Sequence, residues 1–374
     1  VEKITGIASA AKTRLQSIDA FRGATLAFMV LVNNAGGNQS YGPLEHSQWN
    51  GWTPTDVVFP TFLFIVGIAI TLSLGSRVAA NTPRSALLGP IFRRSLIIYA
   101  LGLLVYLFPY FNFSTMRVLG VLQRIAICYL AGSLIYLWTS GTRAVIAWIV
   151  FLLGGYWLLM TLVPVPGYGP GRLDVEGNLA HYVDRIVLGN HNYSQTKTWD
   201  PEGIVSTLPA IATVLFGILA GGILRSKNSL WERITLLFVP GNALIALALI
   251  CNQWLPINKK LWTSSFSMFM AGLGFVMLAM FVYFVDLRGF ERWLKPFIIL
   301  GRNAIVVYML SELLAEVLDD VIVRGASLHE WSYRSVFAPI ASPENASLLW
   351  ALSFTFLMFL AAYGLYKRNL IVRI

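Results

Sequence analysis

Arg14-Leu15-Gln16-Ser17-Ile18-Asp19-Ala20-Phe21-Arg22-Gly23 opens the stretch, residues 14–77, around which this chain is organised. An apolar run to about Val32 follows and ends in Asn33-Asn34-Ala35-Gly36-Gly37. A polar insert comes next, Leu44-Glu45-His46-Ser47-Gln48-Trp49-Asn50-Gly51-Trp52, and a second apolar run from Asp56 to Leu74 closes the unit. Two apolar runs joined by a polar tip read as a long hydrophobic hairpin. A tip carrying His, Glu, Trp and Asn is unusual as mere packing. His46 is the residue there equipped for proton-transfer or acyl-transfer chemistry at a membrane surface.

Composition extends that reading to the whole chain. Of 374 residues, 56% are hydrophobic and 12% charged, and the mean hydropathy is +0.66. Soluble domains carry about 25% charged residues, so the balance indicates a membrane protein. Several apolar stretches reach the roughly 20 residues that cross the hydrocarbon as a helix. The expected fold is all-α: one polytopic transmembrane domain over 1–374 with about ten helices. Spans are expected near 18–36, 55–76, 94–110, 117–138, 143–163, 203–224, 232–253, 262–285, 296–318 and 347–367. Residues 1–13 form a polar tail without the charged-then-apolar pattern of a cleavable presequence. The net charge of +10 is not a nucleic-acid signal, because its basic residues sit in short loops between spans. Cys128 and Cys251 fall in apolar stretches and imply neither a disulfide framework nor a thiolate metal site; no metal is expected.

Lysine and arginine set the orientation. With the N-terminus inside, one face collects Lys3, Lys12, Arg14, Arg93, Arg94, Arg225, Arg292 and Lys367 among others. The opposite face holds Arg117, Arg172, Arg185, Lys197, Lys259, Lys260, Arg324 and Arg334, a bias of about two to one. Both termini are then cytoplasmic, and His46, the long loop 164–202 and the segment 319–346 lie outside. All four histidines (His46, His181, His191 and His329) fall on that outer face.

Candidate site residues follow from residue type and place. A histidine can take a proton from an amine or hydroxyl near neutral pH, and imidazole can also carry an acyl group; His46 is equally readable as a solvated loop residue. Glu45 adjoins it, and Trp49 and Asn50 are of the types that stack on and hydrogen-bond sugars, although Trp is also normal at membrane surfaces. Asp56 either caps the second span or faces a substrate. Asn33 either caps the first span or donates its amide to a developing oxyanion. Gln123 and Arg124 lie in the fourth span, and Arg302 and Asn303 in the ninth with Glu312 and Glu316. Ionisable groups inside spans are costly and mark sites or structural ion pairs. Arg93 and Arg94 read as an inner-face anchor or a grip for an anionic cofactor. Asp200 and Glu202 read as a helix start after Pro201 or as carboxylates for a cationic amino sugar, with His191 just upstream. The G-x-x-x-x-G-K-[ST], H-E-x-x-H and G-x-S-x-G patterns are absent, which leaves ATP-driven transport, zincin proteolysis and elbow-type esterase chemistry without support.

These residues resemble a known family. Arg14-Leu15-x-Ser17-Ile18-Asp19-x-Phe21-Arg22-Gly23, Val32-Asn33, His46-Ser47-x-Trp49-Asn50-Gly51 and Thr55-Asp56-x-Val58-Phe59-Pro60 carry the likeness. Gly120-Val121-Leu122-Gln123-Arg124, Asp200-Pro201-Glu202-Gly203 and Gly301-x-Asn303-Ala304-Ile305 extend it over nearly the whole chain. The chain is similar to the transmembrane acyltransferases typified by lysosomal heparan-α-glucosaminide N-acetyltransferase, in their bacterial form. The resemblance implies a ten-span core that carries an acetyl group from cytosolic acetyl-CoA to an amino sugar on the outer side. His46 would be base or transient acyl carrier and Asn33 would position the thioester. Arg93, Arg94 and Arg124 would hold the nucleotide phosphates from the inner side. Expected partners are acetyl-CoA or coenzyme A, a glucosamine or glucosaminide acceptor and the lipid bilayer, with no nucleic acid; a homodimer is left open. The expected place is the bacterial inner membrane with the His46 loop in the periplasm. The lysosomal type carries a further luminal domain and an extra span that this sequence does not include, and the loop from Asn33 to His46 looks slightly longer here. Rival readings are an amino-sugar transporter without covalent chemistry and a polysaccharide O-acyltransferase.

Overall fold

The computed structural model describes residues 15–139 and 141–372. The 1–13 tail, Arg14 and Arg373 lie outside the described residues.

The apolar runs form helices, in chain order α1 (Gln16–Asn33), α2 (Pro54–Ala79), α3 (Arg84–Leu107), α4 (Val121–Trp138), α5 (Thr142–Leu162), α6 (Leu179–Leu188), α7 (Thr207–Arg225), α8 (Leu230–Cys251), α9 (Ser264–Phe281), α10 (Glu291–Arg302), α11 (Ala304–Asp320), α12 (Leu328–Ser332) and α13 (Pro343–Lys367). Wider helical turns over Val282–Leu287 prolong α9, and a two-residue-per-strand hairpin (Ile322–Val323 with Ala326–Ser327) precedes α12. Among the described residues, eight helices are long and apolar enough to cross a membrane, and α10 with α11 makes a ninth crossing if that bent pair is one span. The protein is an all-α polytopic membrane protein.

Two expected spans differ in form. The ninth, read as a continuous run over 296–318, is broken by 73° between α10 and α11. Asn303 sits at the break with its amide turned to the chain's far end: Nδ2 donates to the Leu370 carbonyl (3.0 Å) and Oδ1 accepts from Val372 N–H (3.0 Å). The first span is helical but too polar to pass as lipid-facing, because it carries Asp19, Arg22 and Asn33. It is shielded instead by α2, α9, α10 and α13, and a helix covered by others does not need an apolar circumference.

Glycines bring the interior helices into backbone contact, as small residues do where helices pack without a water-driven force. A Cβ on Gly67 of α2 would overlap the Val214 carbonyl of α7, and one on Gly217 of α7 would overlap that of Phe64. Gly23 of α1 and Gly301 of α10 cross in the same way. α2, α7 and α9 are the most enclosed spans. α3, α8 and α13 leave rows such as Phe92 and Leu96, Leu249 and Ile250, and Phe356 and Leu360 exposed, the outward surface expected of helices against lipid.

The connections alternate between two ends of the bundle. One end carries the 34–53 loop with His46 and the segments 108–120, 163–206 and 252–263. The 163–206 connection is not structureless: it contains α6, whose N-terminus is capped by Asn178 accepting from His181 N–H (2.8 Å). Short turns and the α10 crossing occupy the opposite end.

Candidate active site

The tip of the α1–α2 hairpin is organised by one carboxylate. Thr53 starts α2 with Pro54 in its first turn, and Asp56 completes a capping box. Asp56 Oδ2 accepts from Thr53 N–H (3.0 Å), Ser47 N–H (3.1 Å) and the Thr53 hydroxyl (3.2 Å). Its Oδ1 lies 2.7 Å from His46 Nδ1. The Asp56 side chain is 0% exposed and that of His46 51% exposed. An ionised buried carboxylate can only accept, so Nδ1 carries the proton and the lone pair of the neutral ring lies on Nε2. Asp56 is therefore both the helix cap and the group that orients His46.

A third residue joins from 213 positions away. The 252–263 segment docks on the tip: Gly51 N–H donates to Ile257 (2.7 Å), Asn258 Nδ2 to Asn50 Oδ1 (3.2 Å), and Lys260 Nζ to the Gln48 carbonyl (2.5 Å). Gly51 has φ +96°, a backbone region that favours glycine. This docking sets Lys259 Nζ 3.0 Å from Nδ1 and 3.4 Å from Nε2 of His46, and 3.5 Å from Asp56 Oδ1. Burial pushes the Lys259 ammonium below the ordinary lysine value, against the pull of Asp56 and Glu202. Sequence reading passed over Lys259; its only signal was a Lys-Lys pair in a short polar link on the face poorer in basic residues.

The other outer-end candidates are placed as follows. Trp49 is an anchor whose Nε1 donates to the Leu173 carbonyl (3.0 Å), its ring edge-on to His181 and Trp199. Glu45 is exposed, and its carbonyl accepts from the Thr53 hydroxyl (2.6 Å). Asp200 and Glu202 face inward and are taken up by Arg117, which binds both oxygens of Asp200 (2.7 and 2.6 Å) and one of Glu202. The Arg117 guanidinium also packs over the Tyr106 and Tyr193 rings. Burial pushes the Glu202 carboxyl up, but Arg117, Arg124 and Lys259 outweigh it and leave it below its ordinary value. His191 Nδ1 meets the Met116 carbonyl (2.8 Å) and so pins the segment that presents Arg117. Asn33 is exposed at the end of α1, and its side chain reaches Glu312 of α11.

Arg124 is buried in the first turn of α4, at the His46 end rather than the opposite one. Its Nη2 donates to the Gly203 carbonyl (2.9 Å) and the Ser206 hydroxyl (2.5 Å), and its head lies over Trp262. Gln123 is buried against Gly102 of α3.

A cavity of about 390 Å³ opens between α1, α2, α3, α4 and the α10–α11 break. Its polar rim holds Arg22, Arg94, Arg302 and Asn303, with Ile371 and Val372 beside them. Arg93 is exposed and does not line it. Met29, Phe62, Ile65, Val66, Ile98 and Leu122 form an apolar wall leading toward the His46 end. The Arg94 and Arg302 guanidinium groups pack over the Tyr129 and Tyr366 rings at this rim, and guanidinium groups of this kind suit an anion. Phe62, the lining residue of α2 nearest Asp56, is six residues on, about 9 Å along the helix axis.

The family model described as heparan-alpha-glucosaminide N-acetyltransferase, catalytic, matches residues 14–258. The chain belongs to that family. The human (Homo sapiens) heparan-alpha-glucosaminide N-acetyltransferase is 31% identical over 362 residues, covering 83% of this chain and 54% of the relative. The mouse (Mus musculus) enzyme of the same name is 31% identical over 354 residues, covering 80% and 54%. The chain thus spans about half the length of the curated relatives it matches. The heparan-alpha-glucosaminide N-acetyltransferase model covers Asn33, His46, Asp56, Arg94 and Glu202 but stops at Asn258, before Lys259 and Arg302.

Proposed function

We propose that this chain is a transmembrane N-acetyltransferase that takes the acetyl group of acetyl-CoA at the Arg22–Arg94–Arg302 end and delivers it to the amino group of glucosamine or a terminal glucosaminide at the His46 end. The lysine and arginine bias supports a cytoplasmic donor end, and hence a periplasmic His46 loop if the membrane is a bacterial inner membrane. The observation that carries the reading is the His46–Asp56 pair at the mouth of a helical bundle whose arginine-rimmed cavity points toward it.

The residues divide the work by chemistry. Arg22, Arg94 and Arg302 suit the phosphates of a nucleotide donor, since guanidinium groups match phosphate geometry. The apolar wall from Ile65 to Leu122 suits a thioester-bearing pantetheine arm. His46 Nε2 takes the proton of the acceptor amine as its nitrogen adds to the acetyl carbon. The carbon–sulfur bond then breaks, and the departing sulfur takes a proton. Asp56 keeps Nδ1 protonated and so holds the imidazole in the tautomer that can act as base. Asn33 supplies an amide toward the carbonyl oxygen. The same lone pair of His46 also suits direct attack on the thioester, giving an acetyl-His46 intermediate.

The test is release of coenzyme A thiol by the purified protein from acetyl-CoA, with and without glucosamine, in wild type and His46→Ala. Release that needs glucosamine and disappears in the variant is expected. Acceptor-independent release limited to one equivalent, lost in the variant, would assign the acetyl-His46 route. Release that survives His46→Ala would overturn the role given to His46.

A further inference from the structure

We propose that Lys259 is the cation that receives the negative charge developing on the acetyl carbonyl oxygen when the acceptor amine adds. This deepens the proposed acetyl-transfer reading and rests on it. The family match ends one residue earlier, and the role follows from three features of the site.

Lys259 is held in place by its neighbours. Contacts from Ile257, Asn258 and Lys260 to Gly51, Asn50 and Gln48 fix the backbone on both sides of it. Only 15% of its side chain stays exposed. A cation confined this way loses hydration, a cost recovered only if something negative meets it.

Its resident partner does not use it up. Asp56 is already engaged by His46 on Oδ1 and by the N–H groups of Ser47 and Thr53 on Oδ2. Lys259 meets only the remaining side of Oδ1, and an ammonium has three protons to give. Lys259 pairs with Oδ1 at 3.5 Å, longer than a tight charged hydrogen bond, and the pairing leaves ammonium protons over for a second acceptor. The other charged groups near it are Glu202, which is bound to Arg117, and Lys260, which is turned to Gln48; Glu45 is exposed beside His46.

It also lies where the charge appears. Nζ is 3.4 Å from His46 Nε2, the nitrogen that takes the amine proton. As the carbon–nitrogen bond forms, the carbonyl electron pair moves onto oxygen. It returns as the carbon–sulfur bond breaks, and no further reactant is needed. A fixed ammonium beside a developing oxyanion stabilises the transition state more than the ground state.

The experiment measures coenzyme A release against pH for wild type, Lys259→Met and Lys259→Arg, with acetyl-CoA and glucosamine as probes. Lys259→Met is expected to lower kcat on the order of 100-fold with both KM values little changed. Lys259→Arg is expected to keep most of kcat. Wild type should lose activity on the alkaline side as Lys259 deprotonates, and Lys259→Arg should carry activity beyond that limb because a guanidinium keeps its proton. The arginine variant keeps the test open if the methionine one fails to fold. An alkaline limb identical in wild type and Lys259→Arg, or a folded Lys259→Met with wild-type kcat, overturns the role of Lys259 alone. No release by wild type overturns the acetyl-transfer reading and this role together.

Discussion

His46 and Asp56 stand ten residues apart in the chain, and their side chains meet at 2.7 Å while the Asp56 backbone is already part of α2. The imidazole is thus referenced to a membrane-embedded helix rather than to its own loop.

Asp56→Asn tests that relationship. An amide keeps the shape but removes the charge that fixes the Nδ1 proton. Acetyl transfer should fall by about 100- to 10,000-fold, with a much smaller fall in Tm. Thr53→Ala is the counterpart: it removes a capping hydroxyl, costs about 1 kcal/mol of stability, and leaves kcat within a few-fold. Steady-state kinetics beside thermal unfolding separates the two.

The cavity rim gives a second prediction. Arg94→Gln and Arg302→Gln should each raise the KM for acetyl-CoA about tenfold or more with little change in kcat, since a charge-assisted contact to phosphate contributes in ground and transition states alike. Arg93→Gln is the internal control, because Arg93 is exposed and off the cavity. Equal KM for all three variants would remove the donor from this cavity.

Packing of α2 on α7 gives a third. Gly67→Ala places a methyl into the Val214 carbonyl and should lower stability by roughly 1–3 kcal/mol or more. Gly222→Ala on α7 meets nothing within 4 Å and should be neutral. Thermal unfolding in detergent distinguishes them.

A fourth concerns acid. His181 is buried, stacked on Trp199 with ring centroids 4.0 Å apart, and burial holds its imidazole down at about 4. Its folded value lies below its unfolded one, so the unfolded chain binds the proton first and stability falls as pH drops from about 6.5 toward 4. Asp184, three residues on, is pushed up to about 6 by burial and works in the opposite sense over part of that range. The difference in Tm between wild type and His181→Phe isolates the histidine: it should shift in favour of the variant as pH is lowered. A difference that does not vary with pH would show that His181 is not neutral and buried in the fold.

The helical spans were legible because apolar runs of membrane length end at Pro, Gly or charge. The break at Asn303 was not, because it depends on the backbone of residues 370–372 arriving from another part of the chain. His46 and Asp56 stood out within one short stretch, and the capping reading of Asp56 described half of what that residue does. Lys259 was hidden by distance along the chain. The carboxylates of Asp200 and Glu202 read as a helix start or as groups for a cationic amino sugar, but Arg117 takes both, and no spacing rule connects residue 117 to residues 200 and 202.

The clip between Asn303 and the 370–372 backbone makes the last described turn of chain a piece of the arginine-rimmed cavity wall. A purification tag or fluorescent fusion placed just after it would hang at the doorway through which the donor is proposed to come. An activity assay on such a fusion would report on the tag as much as on the protein, and a fusion in the exposed link after Gly325 would leave that doorway clear.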